Sequence, residues 1–248
     1  MRRLNEPAEL ALRANTLKTD APTLAEALGA RTGDGDAVIV DGPFDAHGHR
    51  LWHEGHYMPM SRSSQAVAPA LDPQPGERVL DLCAAPGGKS THLAALMRDE
   101  GEIVSVEQHE GRADQLRQTA QRMGATIVRV ERGDAAEPRT DGPFDRVLVD
   151  PPCSGLGTLQ ARPDLRWRMN PQRIDDLIEV QRRMLRAAAQ AVRPGGVMVW
   201  STCTLDPAEN AELVRDLAGF DVQPTTTLFP HTTGSAGFEI TRLLSTSS

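Results

Sequence analysis

Five short apolar runs, each closing near a polar residue and set apart by helical patterns, constrain this chain more than any other feature. They are Val79–Leu82, Ile103–Glu107, Thr126–Val130, Arg146–Asp150 and Val197–Ser201. Runs of this length and near-continuous apolar character belong to strands buried on both faces, the condition of a parallel sheet covered by helices. Helical patterns over 89–99, 110–123 and 172–192 lie between them. In the last, Ile174, Leu177, Ile178, Leu185, Ala188, Ala189 and Val192 share one face and Asp175 and Asp176 sit in the first turn. Pro194-Gly195-Gly196 predicts its end. A further helix is expected from Pro207 and a closing hairpin within Phe220–Leu243. The expected fold class is α/β, a mostly parallel central sheet with helices on both faces.

Residues 1–70 lack this rhythm. They carry Gly and Pro punctuation and four closely spaced histidines, and read as a small accessory region, with a boundary near Pro73-Gln74-Pro75-Gly76 and the main domain over 71–248. The chain has 248 residues, enough for one catalytic-sized domain and an appendage. No apolar run is long enough to span a bilayer, and Met1–Leu10 has no secretory apolar stretch, so a cytoplasmic protein without membrane contact is expected. Three cysteines do not make a disulfide scaffold, which fits a reducing compartment and leaves each thiol available as a reagent. A net charge of −7 argues against broad coating of nucleic acid.

The loop Asp81-Leu82-Cys83-Ala84-Ala85-Pro86-Gly87-Gly88-Lys89-Ser90 follows the first run and opens a helix. Small residues let a ligand approach the backbone, and a helix N-terminus offers free N–H groups. Glu107 lies 19 residues beyond Gly88, about the offset at which nucleotide-binding sheets hold ribose hydroxyls with an acid. The loop has Ala84 where a phosphate-cradling loop has its first glycine, and it lacks the dinucleotide fingerprint. A phosphate-free nucleoside ligand, S-adenosylmethionine, fits better.

Cys83, Cys153 and Cys203 all fall at strand-to-loop junctions, the edge at which open parallel sheets bind ligands. Cys83 reads as packing with its backbone along the ligand. Cys153, in Asp150-Pro151-Pro152-Cys153-Ser154-Gly155, and Cys203, in Ser201-Thr202-Cys203-Thr204, read as reactive. A regulatory disulfide between those two is a further use of the pair.

These segments, with Arg162-Pro163-Asp164-Leu165-Arg166-Trp167 and Glu209-Asn210, resemble the Sun/Fmu (RsmB-like) family of S-adenosylmethionine-dependent RNA (cytosine-5) methyltransferases, over about Ser64 to Asn210. The resemblance implies a Rossmann-like methyltransferase fold. It implies that Cys203 attacks carbon 6 of cytosine, that Cys153 serves product release, and that Asp150 meets the base at N3 and its amine. It places Cys83, Ala84, Ala85, Pro86, Gly87, Gly88 and Lys89 along the methionine part of the cofactor, Glu107 on the ribose and Asp134 at the adenine amine, with Asp150 near the sulfonium. Chemistry supports the outline: carbon 5 of cytosine is a weak nucleophile until a thiolate adds at carbon 6. An aspartate that donates to N3 must hold a proton, so a raised pKa is expected for Asp150 in the complex with the base. Of 27 basic residues 25 are Arg, so Lys89, one of only two lysines, marks a place that takes a compact ammonium and joins the catalytic set.

Residues 161–193 hold eight arginines against four acids, a local balance of +4. Arg162, Arg166, Arg168 and Trp167, nearest the Cys153 loop, are the expected RNA contacts, holding phosphates and stacking on a base. Ribosomal RNA is the expected substrate, with transfer RNA as the alternative and no obligate protein partner. His47, His49, His53 and His56 read as a polar surface loop and no metal site is expected. Two other readings stay open: a methylase of an exocyclic nitrogen or a protein, which would leave the thiol pair without a task, and a non-catalytic ribosome-assembly factor that has kept the fold.

Overall fold

A computed structural model describes residues 5–246. The chain forms twelve strands among these residues: β1 (Leu10–Ala14), β2 (Arg31–Thr32), β3 (Ala37–Val40), β4 (Tyr57–Pro59), β5 (Arg78–Leu82), β6 (Glu102–Glu107), β7 (Val128–Arg132), β8 (Phe144–Val149), β9 (Val192–Thr202), β10 (Phe220–Val222), β11 (Thr226–Leu228) and β12 (Phe238–Ser245). The large sheet runs β10-β12-β9-β8-β5-β6-β7, with β11 also on β12. Strands β5 to β9 are mutually parallel, and β12 closes the sheet antiparallel to β9.

The apolar runs supply two cores because alternate strand residues face opposite sides. Leu80, Leu82, Val147, Val149, Met198 and Trp200 pack with Ile178, Leu185 and Ala188 of the Pro171–Ala191 helix. Val79, Leu148, Val197 and Val199 pack with Val67, Ala68 and Leu71 and with Leu93, Ala94 and Met97 on the other side. Helices therefore cover both faces, as the runs predicted.

Three local expectations shift. The third run begins its strand at Val128 rather than Thr126, because the Asp99 carboxylate accepts the Thr126 and Ile127 N–H groups at 2.8 and 3.2 Å. The long helix ends at Ala191 without a glycine turn, and Pro194-Gly195-Gly196 lies inside β9, where the register with β8 breaks between Phe144 and Arg146. A Cβ at Gly196 would sit 2.9 Å from the Asp145 carbonyl oxygen, so that bulge requires glycine. The tail adds three antiparallel strands rather than one hairpin.

Residues 10–59 build a four-stranded antiparallel sheet, β2-β3-β1-β4, with the Ala21–Leu28 helix against it. Polar side chains attach it to the large sheet. Asn15 Nδ2 donates to the Gly55 and Met123 carbonyls at 2.8 and 2.7 Å, Lys18 Nζ to the Glu54 and Arg122 carbonyls at 2.8 Å each, and Arg13 Nη2 to Thr91 Oγ1 at 3.0 Å. His49 accepts the Leu51 N–H at 3.2 Å, capping the Arg50–His53 helix, and the His47 ring meets Trp52 edge-on at 5.4 Å. Among the described residues no group of three or more His, Cys, Asp or Glu is placed to hold a metal, and no helix is long and apolar enough to cross a membrane.

Candidate active site

From β5 the chain runs outward to β6 and β7, then crosses back to β8 and β9 on the other side of β5. The loops that leave β5 and β8 thus diverge and open a crevice at the carboxyl edge, the position at which such sheets bind ligands. A cavity of about 390 Å³ lies there, lined by Cys83, Ala85, Glu107, Asp134, Asp150, Cys153, Arg162 and Cys203 among others. A second, of about 190 Å³, shares Cys83, Ala85 and Asp150 and adds Ala84, Pro86, Gly88, Lys89, Asp81 and, from the N-terminal sheet, Met58 and Met60.

Cys83 leaves β5 with φ 63°, a left-handed conformation that costs a side-chain-bearing residue roughly 1 kcal/mol. The kink sends its sulfur to the Met184 sulfur at 3.9 Å. Burial, then the Asp150, Asp81 and Glu107 carboxylates, push its thiol up to about 12, so it stays protonated. The Gly88–Leu96 helix follows with no side-chain cap, leaving first-turn N–H groups for a ligand. Gly87 serves packing instead: it has φ 103°, and a Cβ there would sit 2.7 Å from Leu116 Cδ1.

The parallel pairing of β8 with β9 sets Val149 beside Trp200, so the loops after them emerge together. Cys153 and Cys203 meet with their sulfurs 3.4 Å apart. The hydrogen bond from the Cys153 thiol holds Cys203 below the ordinary thiol range, assisted by Lys89 and Arg162 against burial and Asp150. The same bond, then burial, raises Cys153 well above that range. The pair is thus biased so that the proton is held more tightly on Cys153 than on Cys203.

Lys89 Nζ binds Asp150 Oδ2, and Ser201 Oγ donates to Asp150 Oδ1 at 3.3 Å. Burial opposes the Lys89 charge, but Asp150 outweighs it and the net shift is upward. The expected protonation of Asp150 concerns the complex with a base; in the free protein its partners are Lys89 and Ser201.

Arg166, Trp167 and Arg168 lie outside the cavity on the Leu165–Arg168 helix, with Trp167 79% exposed, the largest exposure of any described large apolar side chain. Arg166 Nη2 donates to Asn5 Oδ1 at 2.7 Å and Arg168 pairs with Asp164 at 3.1 Å.

Residue types alone did not single out Asp81, which is 1% exposed. Burial raises its carboxyl to about 7, against the Ser90 hydroxyl that donates to Oδ2 at 2.6 Å and the Lys89 charge. Its Oδ1 has no hydrogen-bond partner among the described residues. An acid closing a strand just before a glycine loop was the available signal.

The family model for the 16S rRNA methyltransferase RsmB/F matches residues 68–219. The chain belongs to this family, whose members are S-adenosylmethionine-dependent RNA methyltransferases. A relative, the probable ribosomal RNA small subunit methyltransferase B of Synechocystis sp., is 42% identical over 232 residues, 86% of this chain and 50% of that protein. The tRNA (cytosine(72)-C(5))-methyltransferase NSUN6 of Mus musculus is 41% identical over 165 residues, 61% of this chain and 34% of that protein. The chain spans about half the length of the methyltransferase B relatives. A methyltransferase homolog protein from Pyrococcus horikoshii superposes with a TM-score of 0.88 at 26% identity, covering 98% of this chain and 88% of that one. NSun6 from the same organism, solved with SFG, superposes at 0.91 and 20% identity over 100% and 93%, which is a likeness of fold.

The site fits the family's cofactor. An unpartnered buried carboxylate oxygen on Asp81 is an acceptor suited to an ammonium group, and Glu107, 3% exposed at the end of β6, is an acceptor-only carboxylate suited to hydroxyls. Glu107 is held by the His109 N–H at 3.0 Å and by Arg112 at 3.4 Å.

Proposed function

We propose that this chain methylates carbon 5 of cytosine in RNA, with Cys203 as the nucleophile toward carbon 6 and Cys153 as the residue that serves release. The observation that carries the reading is the pair of sulfurs 3.4 Å apart at the sheet edge, with Cys203 shifted below and Cys153 above the ordinary thiol range. Methylation of an exocyclic nitrogen needs no thiolate and gives that arrangement no task.

S-adenosylmethionine supplies an electrophilic methyl group when bound. Glu107 would hold its ribose hydroxyls, Asp134 its adenine amine, and the Cys83–Lys89 segment with Asp81 its methionine end. Asp150 would contact the target base and stabilise charge developing on it, with Lys89 orienting the carboxylate. Arg162, which lines the cavity beside both thiols, would bring a phosphate to the mouth, and Trp167 would stack on a neighbouring base. The base must be unpaired or flipped out to reach the thiolate.

Ribosomal RNA is the substrate favoured by the family match, and transfer RNA is the second reading, favoured by the similarity to a tRNA methyltransferase. The test is the Cys153→Ala variant incubated with cofactor and candidate RNA. A denaturation-resistant protein–RNA adduct is expected, lost in Cys153→Ala/Cys203→Ala. Absence of an adduct with an RNA that the unmodified protein methylates refutes the two-thiol reading, as does an unchanged rate in Cys203→Ala.

A further inference from the structure

Behind the two thiols lies a buried polar network. Glu209, 0% exposed, closes a single turn of 3-10 helix at Pro207–Glu209. Its Oε1 accepts the Ser154 N–H at 2.9 Å and Gln181 Nε2 at 2.9 Å, and its Oε2 accepts the Ser154 hydroxyl at 2.5 Å. Ser154 Oγ also lies 2.8 Å from Thr204 Oγ1. A serine hydroxyl has one proton, so with that proton on the carboxylate, Thr204 supplies the proton of the second bond. Gln181, from the Pro171–Ala191 helix, donates in addition to the Pro152 carbonyl at 2.9 Å. Ser154 is the residue after Cys153 and Thr204 the residue after Cys203.

We infer that Glu209 is a positioning residue that joins the Cys153 loop to the Cys203 loop, and that its hydrogen bonds, rather than its charge, set the separation of the two sulfurs. For the methyl-transfer reaction this rests on the reading of Cys203 as nucleophile. One carboxylate takes the backbone and hydroxyl of residue 154 and, through that hydroxyl, reaches residue 204. Asn210 completes the support from the Cys203 side. It accepts the Thr202 hydroxyl at 2.7 Å and donates to the Asp206 carbonyl at 2.9 Å. At the opposite side of the loop, Gly157 N–H donates to the Cys203 carbonyl at 3.0 Å, and a Cβ at Gly157 would sit 2.8 Å from that oxygen. The thiol pair is thus held by elements from β8, β9 and the long helix at once, and three donors converge on one side chain that lines neither of the two cavities at the sheet edge.

The inference separates three variants. Glu209→Gln can keep every bond: its oxygen stays on Ser154 N–H and Gln181, while its amide donates to the Ser154 hydroxyl, which reverses and donates to Thr204. Glu209→Ala strands all three donors. Ser154→Ala removes only the hydroxyl bridge. The probe of sulfur separation is the equilibrium of the Cys153–Cys203 disulfide in glutathione redox buffers, a measurement on the intact chain that needs no RNA. Glu209→Ala is expected to lower the effective concentration of the thiol pair and the methylation kcat by about tenfold or more, Ser154→Ala by about threefold or more, and Glu209→Gln by less than about twofold, with KM for RNA little changed throughout. If Glu209→Ala does not fold, Ser154→Ala decides. Wild-type disulfide equilibria in Glu209→Ala and Ser154→Ala overturn the inference, and so does Glu209→Gln matching Glu209→Ala, which would make charge the agent. Failure of the nucleophile reading shows differently: the Cys153→Ala adduct is missing while the disulfide equilibria still order as stated.

Discussion

With the Cys153 and Cys203 sulfurs 3.4 Å apart, a thiol proton on one sulfur is shared with the other. Donation from Cys153 is the largest influence on Cys203, so removing that donor raises the Cys203 pKa. A thiolate is the reactive form, and its fraction grows as pH passes the pKa. In the unaltered chain iodoacetamide should therefore modify Cys203 well before Cys153 or Cys83 near neutral pH, and in Cys153→Ala the alkylation midpoint of Cys203 should move to higher pH. Peptide mass spectrometry across a pH series reads both; a midpoint unmoved or lowered contradicts the donor role. At this scale the thiols, Asp150, Lys89 and Glu107 were legible because each ends a strand run or sits in a glycine loop. Asp81 carried a weaker signal, an acid at the end of a strand before the glycine loop, and its role shows only once burial raises its carboxyl to about 7. Glu209 was visible in the sequence only as part of a matching segment, since its three donors come from residues 154 and 181 and no spacing connects them.

The elements of the parallel sheet follow from their own residues, whereas the N-terminal sheet does not. β2 has two residues, β4 has three, and their order depends on antiparallel pairing across the unit rather than on any local period. What fastens that sheet is a seam of buried polar groups against the Gly88–Leu96 helix. His92 there is 2% exposed, with Nε2 3.5 Å from Asp36, and Arg13 bonds the adjacent Thr91. Burial, then the Arg13 charge, lower His92 to about 4 against the pull of Asp36. The folded-state value lies below the unfolded one, near 6.5, so between those values the unfolded chain binds more protons. This contribution is complete above about pH 6.5 and is lost as pH falls through 4, on the order of 3 kcal/mol in all. His92→Gln should lack that loss: its melting temperature should fall furthest below the parent's at pH 7 and approach it toward pH 4. A constant gap across that range rules out a buried neutral histidine. On the side facing the Glu110–Met123 helix, Asn15→Ala should cost about 2 kcal/mol or more, because the donor to two carbonyls, which are then left unpaired, and a packed side chain are lost together. Urea denaturation measures it, and a change below about 0.5 kcal/mol would mean that water replaces both bonds.

Across the whole molecule an excess of acid coexists with one arginine-rich segment. A chain of net charge −7 repels a polyanion over most of its surface, so productive contact is confined to places where cations are local. Residues 161–193 supply such a place, and Trp167 stands 79% exposed between Arg166 and Arg168, where no packing requirement holds an indole in water. Arg168 is already paired with Asp164 and Arg166 bonds Asn5, so Trp167 and the cavity-lining Arg162 are the proposed RNA contacts to test first. Stacking and charge then make distinct predictions. Trp167→Ala should weaken RNA binding by about 1–3 kcal/mol with the salt dependence unchanged, since an indole neutralises no phosphate. Arg162→Ala should weaken it and also lower the slope of log affinity against log salt by about one ion. Neither should alter the affinity for S-adenosylmethionine measured by calorimetry. Filter binding at several salt concentrations separates the two effects, and a Trp167→Ala protein that binds RNA as the parent does would remove the Leu165–Arg168 helix from the RNA interface.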